Sequence, residues 1–305
     1  MFRWFVSILL LTFAGAALAQ PATGSQARPL RVVLIPADGG TESGTRADFQ
    51  PLFNAVSRMT GLRFDLRVAQ SYGSVVEAMC NGSADIAFIG PVTYVQAHKR
   101  RCAELLAVAV EKGRSIYYAG LFARTDSGIR SIKDLKGKKV AFGDINSTSS
   151  FVFPMSMILE AGLDPTRDLA GLQLTGSHTN SLAALVQRRV DVAALSFDSY
   201  EKAVRQGAVN PRQIKVVARS LPIPYPPLVV GTRLPAPLKA RLKTAFQNVA
   251  KAPGVTPGMI RGYGGRQVDG YDTRFPAAKF NIAAAKMALI SDGLKSDILK
   301  QSAQR

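Results

Sequence analysis

Short apolar runs rich in β-forming residues alternate with helical patterns along almost the whole chain. Residues 30–35 form the first run, which ends at Pro36, and apolar residues then recur at helical spacing over 49–59, before Gly61. The same alternation starts again from Ser131. This pattern is typical of an α/β protein with a largely parallel sheet.

Two segments resemble each other and favour a pair of similar lobes. Residues 75–89 and 182–195 each contain a helical pattern, a tight turn, an aspartate (Asp85 or Asp191) and a buried strand. Helix–turn–strand units look alike in all α/β proteins, and this stays the alternative explanation. The proline-rich stretch 222–227 does not continue a central strand, so we interpret it as a crossover between lobes.

The N-terminal residues predict export. Arg3 precedes an apolar run that ends near Ala17 and Ala19, the small residues of a signal-peptidase site. We therefore expect residues 1–19 to be a cleaved signal peptide, 20–28 to be a flexible mature N terminus, and the protein to be soluble in the periplasm. An uncleaved membrane anchor is the alternative, for which the apolar run is short.

The formal net charge of +18 requires an explanation. The basic residues are dispersed in short groups without interleaved aromatic residues, and export argues against nucleic acid as a partner. Two explanations stay open: a solvated surface, or a positive field that draws an anion towards a cleft.

Cys80 and Cys102 are the only cysteines in the chain. In an oxidising compartment a local disulfide between them is plausible, and two small buried thiols are the alternative. Their spacing matches no metal site, and we expect neither a metal nor a cofactor.

Hydroxyl groups collect where a strand leads directly into a helix. Ser147, Thr148 and Ser149 lie at this helix start, where unpaired backbone N–H groups and a partial positive charge favour an anion. His178, between another strand and helix, is expected at the same strand-end edge. The alternative for both is ordinary helix capping. A nucleotide-hydrolysing phosphate loop is unsupported, because no Gly-Lys-Ser/Thr motif follows.

Several segments, taken in order, resemble the periplasmic phosphonate-, phosphite- and phosphate-binding proteins of ABC importers, and the likeness covers nearly the whole mature chain. The segments are Gln70-Ser71-Tyr72 before Val75-Val76-Glu77-Ala78-Met79, Ala84-Asp85-Ile86-Ala87-Phe88-Ile89-Gly90-Pro91, Gly143-Asp144 with Asn146-Ser147-Thr148-Ser149, Gly176-Ser177-His178, and Ser220 with Ile223-Pro224.

The resemblance implies a two-lobed type II periplasmic-binding-protein fold with two crossovers between the lobes. Residues 29–120 plus 226–305 are expected to form lobe 1, and 121–225 lobe 2. The site residues that it implies are Ser147, Thr148, Ser149 and His178 from lobe 2, and Tyr72 and Tyr94 from lobe 1.

One position departs from the family pattern. The family often has an acidic residue just after the Ile-Pro pair, where this chain has Tyr225. A tyrosine hydroxyl does not pair with an ammonium group as a carboxylate does, so we expect Tyr225 to disfavour aminoalkylphosphonates.

The resulting hypothesis is a non-enzymatic, monomeric binding protein that delivers a phosphonate, phosphite or phosphate to an inner-membrane ABC permease. A sensor subunit, or a binder of another small molecule such as a sulfonate, is the alternative. A serine hydrolase is a third possibility, with Ser147 or Ser149 as nucleophile, His178 as base, and Asp144 or Asp198 as acid.

Overall fold

The computed structural model describes residues 22–36 and 42–303, so the predicted signal peptide, residues 1–19, lies outside the described part. The strands of this part are β1 Leu30–Leu34, β2 Phe64–Val68, β3 Ile86–Phe88, β4 Ala103–Val110, β5 Ile116–Tyr117, β6 Ala119–Arg124, β7 Lys139–Phe142, β8 Gly171–Leu174, β9 Val192–Ser196, β10 Ile214–Arg219, β11 Ile223–Pro224, β12 Pro227–Gly231 and β13 Gly270–Asp272. Its helices are α1 Glu42–Thr60, α2 Tyr72–Asn81, α3 Pro91–Lys99, α4 Phe153–Glu160, α5 His178–Val186, α6 Phe197–Arg205, α7 Ala236–Asn248, α8 Asn281–Ala288 and α9 Asp292–Ala303.

The strands form two sheets and a small connecting ribbon. The six-stranded sheet of lobe 1 has the order β13-β4-β12-β3-β1-β2, and the five-stranded sheet of lobe 2 has the order β10-β6-β9-β7-β8. The chain passes from lobe 1 to lobe 2 through β5 and returns through β11, and these two short strands pair antiparallel. The α/β class and the two crossovers are thus confirmed.

The expectation of largely parallel sheets is only partly met. β1 is parallel to β2 and β3, and β7 is parallel to β8 and β9, whereas the other strands are antiparallel to their neighbours. The parallel strands belong to the local strand–helix–strand units. The antiparallel strands flank the crossovers, where the chain enters a sheet from the opposite end.

The two aspartates matched in the sequence make the same contact in their lobes. Asp85 Oδ2 accepts a hydrogen bond from the backbone N–H of Arg31 in β1 (2.9 Å), and Asp191 Oδ2 accepts one from Lys139 in β7 (2.9 Å). Each carboxylate therefore ties the start of its own strand to the neighbouring parallel strand. The correspondence between the lobes extends to hydrogen bonding.

Helix α1 covers the lobe 1 sheet with an apolar stripe that includes Phe49, Leu52, Phe53 and Val56, all buried. Met59 was expected in the same stripe but is 37% exposed. Met59 lies in the last turn of α1, so the helical spacing alone overestimated the length of the buried face.

The C-terminal helices extend across both lobes. Helix α8 packs against α3 of lobe 1 and α4 of lobe 2, and α9 packs along β8 at the edge of the lobe 2 sheet. The N–H of Leu174 in β8 donates to Ser302 Oγ of α9 (3.0 Å). The predicted placement of all of 226–305 in lobe 1 does not account for this contact.

A disulfide ties together three elements of lobe 1. Cys80, in the last turn of α2, is bonded to Cys102, which lies between α3 and β4, with a Cα–Cα distance of 4.7 Å. The closed loop has a sequence separation of 22 and contains all of α3. The bond therefore restrains the two lobe 1 helices whose first turns face lobe 2.

Replacing both cysteines, C80S/C102S, is expected to lower the free energy of unfolding by about 3 kcal/mol, because the unfolded chain loses its cross-link. Urea denaturation of the oxidised protein and the variant measures the difference. Reducing agent should destabilise the oxidised protein to the level of the variant and leave the variant unchanged. Equal midpoints for oxidised protein and variant would contradict the prediction.

Candidate functional site

A small cavity lies between the two sheets, next to the crossover ribbon. Its volume is about 10 Å³, which is room for about one water molecule. Lobe 1, lobe 2 and the ribbon all contribute to its wall, which is formed by Ile35, Tyr72, Gly90, Tyr117, Ser147, Thr148, Ser149, Pro226 and Tyr263. No charged residue is among them in the described part of the chain. The polar groups of the wall are therefore hydroxyls and backbone N–H groups rather than ionised side chains.

Three helix starts converge on the cavity. Tyr72 is the first residue of α2, Gly90 is the N-cap of α3, and Ser147 is the N-cap of the turn that leads into α4. Each helix start presents backbone N–H groups that have no partner within the helix, together with a partial positive charge. The wall is thus rich in hydrogen-bond donors and suits an anion.

The turn that leads into α4 is wider than an α-helical turn. Residues Thr148–Val152 form a π-helical turn, in which Val152 N–H donates to Ser147 O (2.9 Å). Ser147 Oγ caps it by accepting from Ser150 N–H (3.2 Å). Ser147, Thr148 and Ser149 are all buried. Single π-helical turns of this kind occur frequently at functional sites.

Hydrogen bonds hold the lobes together at two of these helix starts. The N–H of Val92, in the first turn of α3, donates to Thr148 Oγ1 of lobe 2 (2.9 Å). The N–H of Tyr72, in the first turn of α2, donates to Asp144 Oδ2 of lobe 2 (3.1 Å). Burial raises the pKa of Asp144 even though Asn146 N–H also donates to its carboxylate. Lobe 2 thus supplies acceptors to lobe 1 helices.

Glycine allows a close approach of the two lobes at position 90. A Cβ atom placed there would lie 3.1 Å from Thr148 Oγ1 and 3.8 Å from the Tyr72 ring. The first contact is tighter than ordinary van der Waals distance. A side chain at position 90 would therefore require the Thr148 hydroxyl to shift by a few tenths of an ångström.

His178 contacts the cavity through a tyrosine. Its Nδ1 accepts from the backbone N–H of Ser196 (3.1 Å), so in the neutral ring Nε2 carries the proton and donates to Tyr263 Oη (3.0 Å). Burial lowers the pKa of His178 to about 3, which keeps the imidazole neutral at physiological pH. The histidine fixes the orientation of the Tyr263 hydroxyl, and Tyr263 is the residue that reaches the cavity wall.

Ion pairs connect the lobes around the cavity. Lys202 of α6 pairs with Asp48 of α1 (2.7 Å), and Arg266 pairs with Asp198 (3.2 Å) and Glu201 (3.0 Å) of α6. A lobe 1 element and helix α6 of lobe 2 meet in each pair. These contacts form when the lobes are close together, as they are here.

Two of the residues expected at the site lie elsewhere. The Tyr94 ring stacks on His98 and packs against Phe280 (ring centroids 4.8 Å apart), and it is absent from the cavity wall. Tyr225 lies behind the wall, with its ring edge-on to Tyr117 (5.9 Å) and Tyr263 (6.3 Å). Its buried hydroxyl has no hydrogen-bond partner in the described structure. Tyr72, Ser147, Thr148 and Ser149 do meet at the cavity.

Sequence reasoning missed Tyr117 and Tyr263. Tyr117 belongs to β5 and faces the cavity from the ribbon, and Tyr263 lies in the segment 262–265, where glycines surround it. Clustered glycines often mark a close approach of backbone to another group, so this segment held a signal for Tyr263. The sequence around Tyr117 carries no such signal.

The arrangement gives no support to a hydrolytic triad. Both ring nitrogens of His178 are engaged, one with Ser196 N–H and one with Tyr263 Oη, and neither contacts Ser147 or Ser149. The described residues also contain no cluster of His, Cys, Asp or Glu that suits a metal ion. None of the described helices combines the length and apolar character that crossing a membrane requires.

Two sheets joined by two crossovers, with a small donor-rich cavity between them, define a two-lobed binding protein of the type II periplasmic fold. Residues 40–264 match the family model described as "ABC transporter, phosphonate, periplasmic substrate-binding protein". The chain belongs to this family of substrate-binding proteins of ABC importers, as the sequence motifs predicted.

Individual relatives agree with this assignment. The phosphate-import protein PhnD of Mycolicibacterium smegmatis is 28% identical over 253 residues, which are 79% of this chain and 78% of that protein. The phosphonates-binding periplasmic protein of Escherichia coli is 26% identical over 218 residues, or 70% of this chain and 64% of that protein. The crystal structure of a binding-protein component of an ABC phosphonate transporter from Pseudomonas aeruginosa has the same fold. It has a TM-score of 0.73 and 23% identity, with 90% of this chain and 96% of that chain covered.

The buried, neutral His178 is expected to make the protein less stable in acid. Its pKa is about 3 when folded, against an ordinary value of 6.5, so the unfolded chain binds the extra proton below about pH 6.5. Stability from this group is complete above that pH and falls by about 1.4 kcal/mol per pH unit down towards pH 3.

Urea denaturation from about pH 7 to about pH 4 tests this expectation on H178Q, which should show a correspondingly shallower loss of stability than the unsubstituted protein. H98Q is the matched control, because His98 is the other histidine and is exposed. Parallel pH profiles for H178Q and the unsubstituted protein would show that His178 is not buried and neutral.

Proposed function

We propose that the mature protein binds a small tetrahedral phosphorus oxyanion, namely phosphate, phosphite or a short alkylphosphonate, in the cavity between its lobes. We further propose that it acts in the periplasm as a monomer after cleavage of residues 1–19. It binds its ligand without chemical change and passes it to an inner-membrane permease. The observation that carries the proposal is the convergence of three helix starts and the Ser147–Ser149 hydroxyls on one cavity.

The chemistry of the wall matches the chemistry of an oxyanion. A tetrahedral anion has only a few oxygens, each with lone pairs directed at fixed angles, and it needs donors on several sides. Thr148 and Ser149 supply donors from lobe 2, Gly90 marks the lobe 1 helix start opposite them, and Tyr263 closes a third side. Each buried hydrogen bond to a charged oxygen contributes about 1.5–3 kcal/mol, so a few of them support micromolar binding.

Closure of the lobes is the proposed signal to the permease. An oxyanion contacts donors of both lobes only when they are close together, so it shifts the population towards the closed form. The bond from Val92 N–H to Thr148 Oγ1 and the pair Lys202–Asp48 already act across the same gap. Ligand binding therefore adds to interlobe contacts that are individually weak.

The size of the cavity and Tyr225 together favour ligands without an amine. The cavity has a volume of only about 10 Å³, so the lobes separate slightly to admit a tetrahedral group, and little room remains for a large substituent. Tyr225 replaces the family's carboxylate and lies behind the wall, packed on Tyr117 and Tyr263. No carboxylate lines the described cavity wall to pair with an ammonium group, so burying that charge there is unfavourable.

Replacing Thr148 by valine should weaken oxyanion binding by about one to two orders of magnitude in Kd, because it removes both a donor to the ligand and the acceptor of the interlobe bond from Val92 N–H, with little change in shape. Calorimetric titration with phosphate, phosphite and methylphosphonate measures the loss. T60V is the matched control, because Thr60 is also buried but lies in α1, away from the cavity. Full-strength binding by T148V, or absence of binding by the unsubstituted protein to all three anions, would refute the proposal.

The contribution of the amine is tested with a matched pair of ligands. Ethylphosphonate and 2-aminoethylphosphonate differ only in the ammonium group, and the first should bind at least about tenfold more tightly, because the second buries an unpaired charge. Methanesulfonate is included to test the sulfonate alternative. Tighter binding of the aminated ligand would overturn the role given to Tyr225, and a marked preference for methanesulfonate would move the proposal to sulfonates.

A further inference from the structure

The crossover ribbon has two faces with different surroundings. Side chains alternate between the faces of a strand, and directly opposed residues share a face. Tyr117 is opposite Ile223, and both are buried towards the cavity side. Ile116 is opposite Pro224, so these two residues project from the other face. The ribbon therefore separates the interlobe cavity from a second environment.

A groove with a volume of about 470 Å³ lies on this outer face. The ribbon and its flanks form one wall, and the segment before and within α8 forms the other. The lining residues are Arg114, Ser115, Ile116, Pro222, Pro224, Phe275, Lys279 and Ile282. The volume lies within the range of small-molecule sites. Most of the lining is apolar, and its charged members are two cations.

The cations are positioned for an anionic partner. Arg114 and Lys279 come from opposite walls and are exposed. No carboxylate lines the groove within the described residues. Glu111, the acidic residue nearest to Arg114 along the chain, pairs with Arg266 instead (3.0 Å). An occupant with one negative charge and an apolar body would therefore complement both the charge and the apolar lining.

The segment that leads into α8 packs on lobe 1, while α8 itself also contacts α4 of lobe 2. The Phe275 ring packs against Phe280 (5.6 Å), and Phe280 packs against Tyr94 of α3 (4.8 Å). The ribbon wall is fixed to the backbone next to the cavity, because Tyr225 N–H donates to Ser115 O (2.8 Å). Any bending of the ribbon relative to lobe 1 therefore changes the width of the groove.

We propose that this groove, which we call the hinge groove, is a second binding site for a small amphipathic anion, such as an aryl-alkyl carboxylate. We infer its coupling to the cavity from the opposite faces of the ribbon. When the lobes open, atoms on the cavity side separate and atoms on the outer side approach each other. An occupant of the hinge groove opposes that approach, favours the closed form and raises the affinity for the oxyanion. This coupling, unlike the site itself, rests on the proposed function.

Calorimetric titration of the mature protein with 4-phenylbutyrate tests the site, and 4-phenylbutan-1-ol serves as the uncharged counterpart. The carboxylate should bind more tightly than the alcohol. R114Q/K279Q should weaken carboxylate binding on the order of tenfold, because two cations are removed. K133Q/R212Q is the matched control, which removes two exposed cations outside the groove and should bind normally. No carboxylate binding, or equal binding by both double variants, overturns the hinge groove.

Repeating the titration with saturating phosphate or methylphosphonate tests the coupling. The Kd for 4-phenylbutyrate should fall by about fivefold or more, and by reciprocity the probe should tighten oxyanion binding by the same factor. Independent or antagonistic binding overturns the coupling. If the protein binds no phosphorus oxyanion, the proposed function fails, while the comparison of the two double variants still decides the hinge groove.

Discussion

The hydrogen bond from Val92 N–H to Thr148 Oγ1 joins the starts of two helices that belong to different lobes. Helix α3 has no side-chain cap of its own, because glycine occupies its N-cap, and a Cβ atom at position 90 would lie only 3.1 Å from Thr148 Oγ1. Because Gly90 has no side chain, Thr148 Oγ1 lies close to the start of α3 and supplies the acceptor that a capping side chain would otherwise provide. An oxyanion oxygen offers these N–H groups the same kind of acceptor with more charge, so the geometry that closes the lobes also suits the ligand.

The fold was largely predictable because its signals are local. Alternating strands and helices, Gly61 after α1 and the prolines of 222–227 report on their own neighbourhoods and predict the α/β class and one crossover, while the resemblance to the family implied two lobes with two crossovers. The antiparallel return strands and the span of α9 over β8 depend on where the chain re-enters a distant sheet. No short window of sequence carries that information.

The difference between local and long-range information also explains which residues of the candidate site the sequence predicted. Ser147–Ser149 were found because a strand, hydroxyl residues and a helix follow each other directly. Tyr94 was misplaced because the side of α3 on which it lies is covered by Phe280, almost two hundred residues later. Tyr117 and Tyr263 reach the cavity from the ribbon and from a glycine-rich loop, and the direction of each ring is set by tertiary packing.

If the proposed function holds, the net charge of +18 and the uncharged cavity wall act at different steps of binding. A positive surface raises the rate at which any anion arrives, but its field falls off smoothly and does not distinguish one oxyanion from another. A cation buried in the cavity would also fail to distinguish one oxyanion from another, and removing it from water would cost free energy. Helix N–H groups and hydroxyls point in fixed directions, so they bind tightly only an anion whose oxygens lie where these donors point. Selectivity therefore resides in the neutral donors, while Lys202 and Arg266 lie outside the wall and pair across the lobes.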